Sequence, residues 1–355
     1  MATILNVAYP FAPVTADAVG GAEQVLARLD AALSAAGHRS VVLARTGSVV
    51  SGELVPIEVP NGTLTPEVRA DVLATVRSEL EALVATGSVD LVHLHGVDCA
   101  DYLPRATVPR LVTLHLPPEW YPRTLYDSPH APTLVCVSRS QRARCPAPHA
   151  LVVENGVDLE RFHPSPSAAY EEAVCLGRIC EEKGFDLALA AAHAAGVPLV
   201  LAGEVFPYPE HQAYFVRAIE PLLDEQRRFI GPVSGERKRE LLAGARAVVV
   251  PSRVPETSSL VTMEALACGT PVIVSGSGAL ASLVRVGRTG FVAKDAFAIA
   301  EALGRTHHLD RDACRRHAER HFDVRKTERR YLRLYERLCE ASKRGTEPNL
   351  EDLEE

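Results

Sequence analysis

Residues 173–202 read AVCLGRICEEKGFDLALAAAHAAGVPLVLA, and this stretch decides the fold class. Two apolar runs, 173–177 and 198–202, lack the alternation of a half-exposed strand, so both are predicted to be strands covered on two faces. The segment between them, 184–195, is predicted to be a helix. The order strand, helix, strand predicts a parallel, doubly wound α/β sheet.

The rest of the chain repeats this alternation. In the first half, the spacing of apolar residues predicts helices at 22–36 and 65–86, the second with Thr65 as its N-cap. Nearly continuous apolar runs predict strands at 39–44, 89–95, 110–115 and 133–137. In the second half, helices are predicted at 211–225, 235–244 and 259–267, and strands at 247–250 and 271–275.

Two domains fit a length of 355 residues. A turn signal at 155–158 and a proline-rich linker separate the two series of strands, so we predict two Rossmann-like domains, 1–165 and 166–323. A long helix at 324–341 and a disordered acidic tail at 342–355 are predicted to follow. Ligands of such sheets bind beyond the carboxyl ends of the strands, so a cleft between the domains is the expected site.

Composition and charge exclude several classes of protein. The net charge is −7, and residues 1–160 contain 11 basic and 17 acidic side chains, which argues against nucleic acid or an anionic membrane as a partner. No apolar run approaches the roughly 18–20 residues of a membrane helix. Residues 3–9 are predicted to be a strand and not part of a signal peptide, so we expect a cytoplasmic protein. The eight cysteines are expected to be reduced.

Cations and glycines follow the first strand of each predicted domain. Arg178 and Lys183 come after the strand at 173–177, where a guanidinium fork and an ammonium group would suit a diphosphate. In the first domain, Gly20 and Gly21 open a helix whose N-terminus could receive an anion. An ordinary loop or turn is the alternative at both places.

The stretch PSRVPETSSLVTMEALACGTPV, residues 251–272, gives the sharpest signal. Glu256 and Glu264 are eight residues apart, which on one helix would separate them by about 80°. We therefore predict that Glu256 lies in the loop and that a residue among Thr257–Ser259 caps the helix carrying Glu264. Glu264 lies among apolar residues, so it should be partly buried and should have a polar partner. Two unrelated surface glutamates are the alternative.

An ordered set of motifs resembles glycosyltransferase family 4, whose members are retaining enzymes of the GT-B fold. The set covers about residues 3–335 and consists of Gly20-Gly21-Ala22-Glu23, His115, Asn155-Gly156-Val157-Asp158 with Phe162, Gly177-Arg178 with Lys183-Gly184, Glu256-x7-Glu264 running into Ala267-Cys268-Gly269-Thr270-Pro271-Val272, and Thr289-Gly290-Phe291-Val292. The resemblance implies two Rossmann-like domains facing across a cleft, with the helix at 324–341 crossing back to the first domain.

The resemblance also implies roles for single residues. Arg178 and Lys183 would hold the donor diphosphate, Glu264 would accept hydrogen bonds from the ribose, and Glu256 would hold donor-sugar hydroxyls. Gly20 and Gly21 would lie against the diphosphate, and His115 would lie near the reacting centre. The donor-binding set also includes the helix start, at Ser258, Ser259 and Leu260.

Two departures from the family pattern modify this expectation. The family usually has glycine, an aromatic or leucine, and proline after its first motif glutamate, where this chain has Thr257-Ser258-Ser259, so the donor's identity stays open. The family often has a glutamate shortly before the Thr-Gly-Phe stretch, and this chain has Ser282 at that position. Trp120 and Tyr121 follow His115 in the chain and are candidates for contact with an acceptor sugar, with anchoring of the loop as the alternative.

Other motifs are expected to be structural. His93 and His95 share a face of a strand, and without a third ligand we interpret them as cleft or core histidines. Asp310-Arg311-Asp312 is predicted to cap a helix. The glycines at 276–278 follow a late strand of their domain, which argues against a dinucleotide site.

These features predict a retaining hexosyltransferase that moves a sugar from a nucleotide donor, expected to be UDP-linked, to a soluble acceptor. The acceptor would be a small metabolite, an antibiotic precursor or a saccharide. Catalytic roles would fall to Glu256, His115, Arg178 and Lys183, and neither a metal nor another cofactor is expected. A sugar-nucleotide epimerase of the same fold and a non-catalytic sugar-nucleotide-binding protein remain alternatives. The sequence leaves the oligomeric state open.

Overall fold

A computed structural model describes residues 1–104, 108–127, 131–165 and 170–350. The chain forms two compact units. Unit 1 contains Met1–Glu154 and Lys326–Glu355, and unit 2 contains Asn155–Arg325. The division between the units therefore precedes the predicted boundary at 165/166. Residues 166 and 167 of the predicted linker lie outside the described residues.

Unit 1 is built on a seven-stranded sheet in which all strand pairs are parallel, in the order β3-β2-β1-β4-β5-β6-β7. Its strands are β1 (Thr3–Val7), β2 (Arg39–Arg45), β3 (Glu53–Ile57), β4 (Leu91–Leu94), β5 (Arg110–Leu114), β6 (Thr133–Cys136) and β7 (Leu151–Val152). Its first helices are α1 (Gly21–Ala35), α2 (Pro66–Ala85), α3 (Cys99–Tyr102), α4 (Thr124–Asp127) and α5 (Arg139–Arg142).

Unit 2 contains a six-stranded parallel sheet in the order β10-β9-β8-β11-β12-β13. The strands are β8 (Ala173–Leu176), β9 (Leu199–Ala202), β10 (Arg227–Phe229), β11 (Val248–Val250), β12 (Val272–Val274) and β13 (Gly290–Val292). The helices are α6 (Phe185–Ala195), α7 (Pro209–Tyr214), α8 (Gly235–Gly244), α9 (Leu260–Ala267), α10 (Ala296–Arg305) and α11 (Arg311–His321). Two parallel, doubly wound sheets confirm the predicted fold class.

The last helix, α12 (Val324–Arg344), returns the chain to unit 1. Its Tyr331 and Tyr335 are fully buried, and their hydroxyls lie 2.8 Å from Thr113 Oγ1 and His93 Nδ1. The predicted return of this helix to the first domain is confirmed, although the helix continues past its expected end at 341. Residues 351–355 of the predicted tail lie outside the described residues.

One helix prediction was wrong in its extent. The helix predicted at 211–225 is instead α7, which is followed by a π-helical turn at Phe215–Ile219 and a 3-10 turn at Glu220–Leu222. Pro221 has no backbone N–H to donate, so regular helical hydrogen bonding does not continue through it.

Both sheets have a point where the strand order reverses direction. In unit 2 this point lies between β8 and β11, and in unit 1 it lies between β1 and β4. Loops that leave neighbouring strands there diverge to opposite faces of the sheet and leave a crevice at the carboxyl ends of the strands. The candidate site of unit 2 is at this place.

Candidate donor site

The loops that follow β8 and β11 bring two predicted donor-binding residues together. Lys183 Nζ lies 2.6 Å from Glu256 Oε1, although the residues are 73 positions apart. The lysine side chain is 31% exposed and the glutamate side chain 11% exposed. The two charges therefore neutralise each other in the absence of ligand. A diphosphate that binds Lys183, or a sugar that binds Glu256, must therefore share this ion pair or break it.

Backbone packing holds Lys183 in place. Gly184 has φ of 68°, and a Cβ there would collide with the carbonyl oxygen of Pro251. Arg253 donates its backbone N–H to Glu182 O at 2.8 Å, and its guanidinium forms two bonds to Asp186, at 2.8 and 2.6 Å. The loop after β8 is thus attached to the loop after β11, which fixes Lys183 opposite Glu256.

Glu256 is positioned by the chain that follows β12. Its backbone forms a parallel bridge with Gly278, and its carbonyl accepts a hydrogen bond from Ala279 N at 2.8 Å. Gly278 has φ of 66°, and a Cβ would collide with the Glu256 backbone. Gly278, part of the segment that resembles a dinucleotide motif, thus supports the glutamate loop.

The helix after this loop begins where the glutamate spacing predicts. Ser259 is the N-cap of α9, and its Oγ accepts a hydrogen bond from Thr262 N at 3.3 Å. Glu256 therefore lies in the loop. Glu264 lies in the second turn of the helix and is only 1% exposed. This arrangement excludes a common helical face for the two glutamates.

The partner of Glu264 is Lys238 on α8, a residue to which the sequence assigned no role. Lys238 Nζ lies 2.6 Å from Glu264 Oε1, and the lysine side chain is 10% exposed. The same ammonium lies 5.4 Å from the ring centroid of Phe162, within cation–π range. A lysine on a helix is by itself a weak sequence signal of a functional residue. The signal that could have identified Lys238 is that the chain contains only five lysines.

Three polar atoms of the predicted donor set have no hydrogen-bond partner within the described part of the chain. They are Arg178 Nε, Ser258 Oγ and Glu264 Oε2, and each atom is buried. A buried polar atom without a partner costs about 1–3 kcal/mol, so such atoms concentrate where a ligand or water completes the bonding. All three residues belong to unit 2, where the sequence placed the nucleotide.

In unit 1, His115 follows β5 and lies in a row of buried histidines. Its Nε2 is 3.0 Å from Nδ1 of His95, whose ring stacks near His93 at a centroid distance of 3.9 Å. Burial lowers the pKa of His115 to about 4, and it lowers the pKa values of His93 and His95 well below the usual range. All three rings are therefore neutral at pH 7. His93 is bonded to Thr113 and Tyr335, which confirms its interpretation as a core histidine.

The glycine-rich helix start of unit 1 already has a carboxylate beside it. Gly20 is the N-cap of α1, and a Cβ on it would collide with the carboxylate of Glu23. Glu23 is 7% exposed. A negative charge thus lies in the first turn of α1, where the helix dipole stabilises it.

The two aromatic candidates for acceptor contact differ in exposure. Trp120 is 47% exposed, whereas Tyr121 is 4% exposed and packs within the core of unit 1. The Tyr121 hydroxyl accepts a hydrogen bond from Leu116 N at 3.4 Å. The ring of Tyr121 supports the loop after His115, which matches the anchoring alternative, and contact of Tyr121 with an acceptor stays a prediction. Trp120 retains an exposed face.

Several structural interpretations from the sequence are confirmed. Asp310 is the N-cap of α11, and its carboxylate accepts a hydrogen bond from Asp312 N at 2.9 Å. All eight cysteines are free thiols. Among the described residues, no helix combines the length and the apolar character that crossing a membrane requires.

Two family models match the chain, one in each half. Residues 19–161 match the model described as Glycosyltransferase Family 4, and residues 171–308 match the model described as Glycosyl transferases group 1.

Among curated proteins, a D-inositol 3-phosphate glycosyltransferase of Geodermatophilus obscurus is 36% identical over 200 residues. The match covers 47% of this chain and 43% of that protein, so the chain spans less than half the length of this relative.

Solved structures resemble the chain over nearly its whole length. AviGT4, a glycosyltransferase involved in avilamycin A biosynthesis, is 28% identical with a TM-score of 0.69, covering 96% of this chain and 98% of that one. HepE of Anabaena, solved in complex with UDP and glucose, is 20% identical with a TM-score of 0.74, covering 95% of this chain and 100% of that one.

Proposed function

The chain belongs to the family-4 type of glycosyltransferases and has their GT-B fold, and from this premise we propose that it transfers a hexose from a UDP-linked donor to a soluble acceptor with retention of configuration, releasing UDP. The observation that carries the proposal is the Lys183–Glu256 pair, which lies where the strand order of unit 2 reverses between β8 and β11. It offers a cation for a diphosphate and a carboxylate for sugar hydroxyls within one contact.

The proposed chemistry is departure of a nucleoside diphosphate. Negative charge accumulates on the leaving group in the transition state, so preorganised donors near it lower the barrier. Lys183 would supply an ammonium group, and Arg178 would supply a guanidinium whose buried Nε has no partner within the described residues. These two cations and the N-terminus of α9 supply the neutralising charge, so we propose that transfer itself needs no metal.

Nucleotide binding and sugar binding are assigned to different glutamates. Glu264 is paired with Lys238 through Oε1, and its second oxygen, Oε2, has no hydrogen-bond partner in the described residues. This oxygen would accept hydrogen bonds from the ribose hydroxyls. Glu256 would exchange part of its contact with Lys183 for hydroxyls of the sugar. In unit 1, neutral His115 would serve as a hydrogen-bonding group for sugar hydroxyls.

Retention would follow from attack of the acceptor on the face that the leaving group vacates. In this proposal the acceptor hydroxyl gives its proton to the departing phosphate, and the glycosidic bond forms without a covalent enzyme intermediate. The main contribution of the protein is then electrostatic stabilisation and positioning.

The choice of UDP is supported by HepE, which was solved with UDP and glucose. The choice of a soluble acceptor is supported by AviGT4, which is involved in avilamycin A biosynthesis, and by the acidic balance of residues 1–160. A phosphorylated polyol, the acceptor class in the name of the inositol-phosphate relative, would also be a soluble acceptor.

A thermal-shift screen with UDP, GDP, ADP, dTDP and NAD tests the nucleotide. At 100 times its dissociation constant, the correct ligand should raise the free energy of unfolding by about 2.7 kcal/mol. Incubation with the matching nucleotide-sugar and no acceptor then tests the class of reaction. Slow release of unchanged sugar supports a transferase, a changed sugar identifies an epimerase, and binding without any product identifies a silent binder. The anomeric configuration of a transferred sugar decides between retention and inversion.

A further inference from the structure

Three metal-ligating side chains converge in unit 2 beside the predicted diphosphate loop. The Cys180 Sγ, a carboxylate oxygen of Glu182 and a ring nitrogen of His211 all lie within 4.8 Å of one another. Cys180 and Glu182 belong to the loop after β8, and His211 lies on α7. In the four described ranges of the chain, this is the one place where three such groups meet.

His211 gives the cluster an unfilled bonding position. The residue is only 8% exposed, and its Nδ1 is buried without a hydrogen-bond partner among the described residues. The ring packs edge-on against Tyr208 at a centroid distance of 5.2 Å. A buried ring nitrogen held in this way loses its bonds to water and gains none from the protein, which favours a ligand that supplies one.

We propose that Cys180, Glu182 and His211 form a binding site for a borderline-soft divalent cation, with Zn²⁺ as its preferred ion. One sulfur, one imidazole nitrogen and one carboxylate oxygen match the ligand set that zinc takes in proteins, with a fourth position open to water. Zn–S and Zn–N distances of about 2.0–2.3 Å require the three groups to draw together. The side chain of Glu182 can move toward the other two ligands, since it is only partly buried on the one-turn helix Glu181–Lys183. Cys180 binds as a thiolate and releases its proton to solvent.

The site is distinct from the groups assigned to the donor, but it is connected to them. Cys180 and Glu182 lie in the chain between Arg178 and Lys183, and Cys180 Sγ donates to Arg178 O at 3.6 Å. A bound ion would join this segment to α7 and stabilise the loop that carries both cations. The inference goes beyond the proposed function, because sugar transfer requires no ion at this site.

Cobalt provides a direct probe. The full chain is stripped with chelator, dialysed and titrated with Co²⁺, and a thiolate-to-cobalt charge-transfer band is followed. We expect a band that saturates at one equivalent and disappears when Zn²⁺ is added. Cys180→Ser should abolish the band. His211→Gln and Glu182→Gln should each weaken Co²⁺ binding by more than the roughly 10–100-fold that loss of an outer-sphere contact costs.

Matched variants separate this site from adventitious binding. Glu181→Gln changes the exposed neighbour of Glu182, and Cys145→Ser removes the partly exposed thiol of unit 1. Both should keep the band, and circular dichroism melting should show that every variant is folded. Absence of the band in the parent, or its loss only in Cys145→Ser, would overturn the proposal. Turnover measured in chelator reports on the proposed function separately.

Discussion

Both units place ionisable side chains after the carboxyl ends of neighbouring strands, but in different charge states. In unit 1, His95 and His115 follow the neighbouring strands β4 and β5, and burial lowers their pKa values so that both rings are neutral. In unit 2, Lys183 follows β8 and Glu256 follows β11, and they form an ion pair. The same topology thus provides uncharged hydrogen-bonding groups in one unit and paired charges in the other.

In the proposed reaction, this difference matches each unit to a different part of the substrates. A nucleoside diphosphate carries negative charge, and unit 2 has cations already held in place by hydrogen-bonded loops. Sugar and polyol hydroxyls are uncharged, and neutral imidazoles can donate hydrogen bonds to them or accept hydrogen bonds from them.

Within unit 2, the two lysine–glutamate pairs differ in their exposure to solvent. Both contacts are 2.6 Å, but the Lys238–Glu264 pair is nearly buried and the Lys183–Glu256 pair is partly exposed.

The largest effect is expected from breaking the buried pair. Lys238→Met should lower the free energy of unfolding by about 3–5 kcal/mol, because it leaves the Glu264 carboxylate buried and unpaired. Urea denaturation measures the change. Lys238→Met combined with Glu264→Gln should recover part of it, since no unpaired charge then remains. An unchanged midpoint in the single variant would show that the pair contributes little.

The next effect concerns turnover at the exposed pair. Lys183→Ala should reduce turnover by about 10²–10³, or roughly 2.7–4 kcal/mol, because it removes a charge that stabilises the departing diphosphate. The assay is run in chelator with saturating donor. Lys294→Ala, which removes an exposed lysine of the same unit, should retain parental turnover. Near-normal activity in Lys183→Ala would assign leaving-group stabilisation to another group.

A smaller effect should separate the two glutamates. Glu264→Gln should weaken binding of free UDP by roughly 1–3 kcal/mol, the range for a disrupted buried polar contact. Glu256→Gln should leave UDP affinity nearly unchanged and lower turnover, since free UDP carries no sugar. Calorimetric titration of both variants gives the comparison. Equal losses of UDP affinity would contradict the separate roles.

The smallest effect tests the neutral histidines of unit 1. His115 titrates near pH 6.5 in the unfolded chain and at about 4 when folded, so the unfolded state binds more protons between these values. The free energy of unfolding should therefore fall as the pH is lowered. His115 alone should account for about 1 kcal/mol between pH 7 and pH 5.5. His93 and His95 shift the stability in the same direction.

Denaturation across this pH range is compared for the parent and His115→Gln, with the exposed His149→Gln as control. The substitution at His115 should reduce the pH dependence, and the substitution at His149 should not. Equal slopes in all three proteins would mean that folding does not change the pKa of His115, which would contradict the prediction.

The predicted elements were close to the observed ones where local signals are strong. Helix α8 occupies the predicted 235–244, and α2 begins after the predicted N-cap Thr65. Pro221, by contrast, interrupted a helix that apolar spacing alone had predicted. Short edge strands such as β7 and β10 were not predicted, because two or three residues carry too little periodicity to be recognised.

The sequence by itself determined the two parallel sheets, the position of Glu256 in a loop and the capped helix that carries Glu264. The position of Glu256 and the capped helix follow from local spacing and capping, and the parallel sheets follow from the order of strands and helices along the chain. Only the tertiary structure decided that Lys183 pairs with Glu256, that Lys238 pairs with Glu264, and that Tyr121 is buried beside an exposed Trp120. Such partners lie far apart in the chain or on different faces of a loop, and they are selected by packing of the whole unit, which no local pattern encodes.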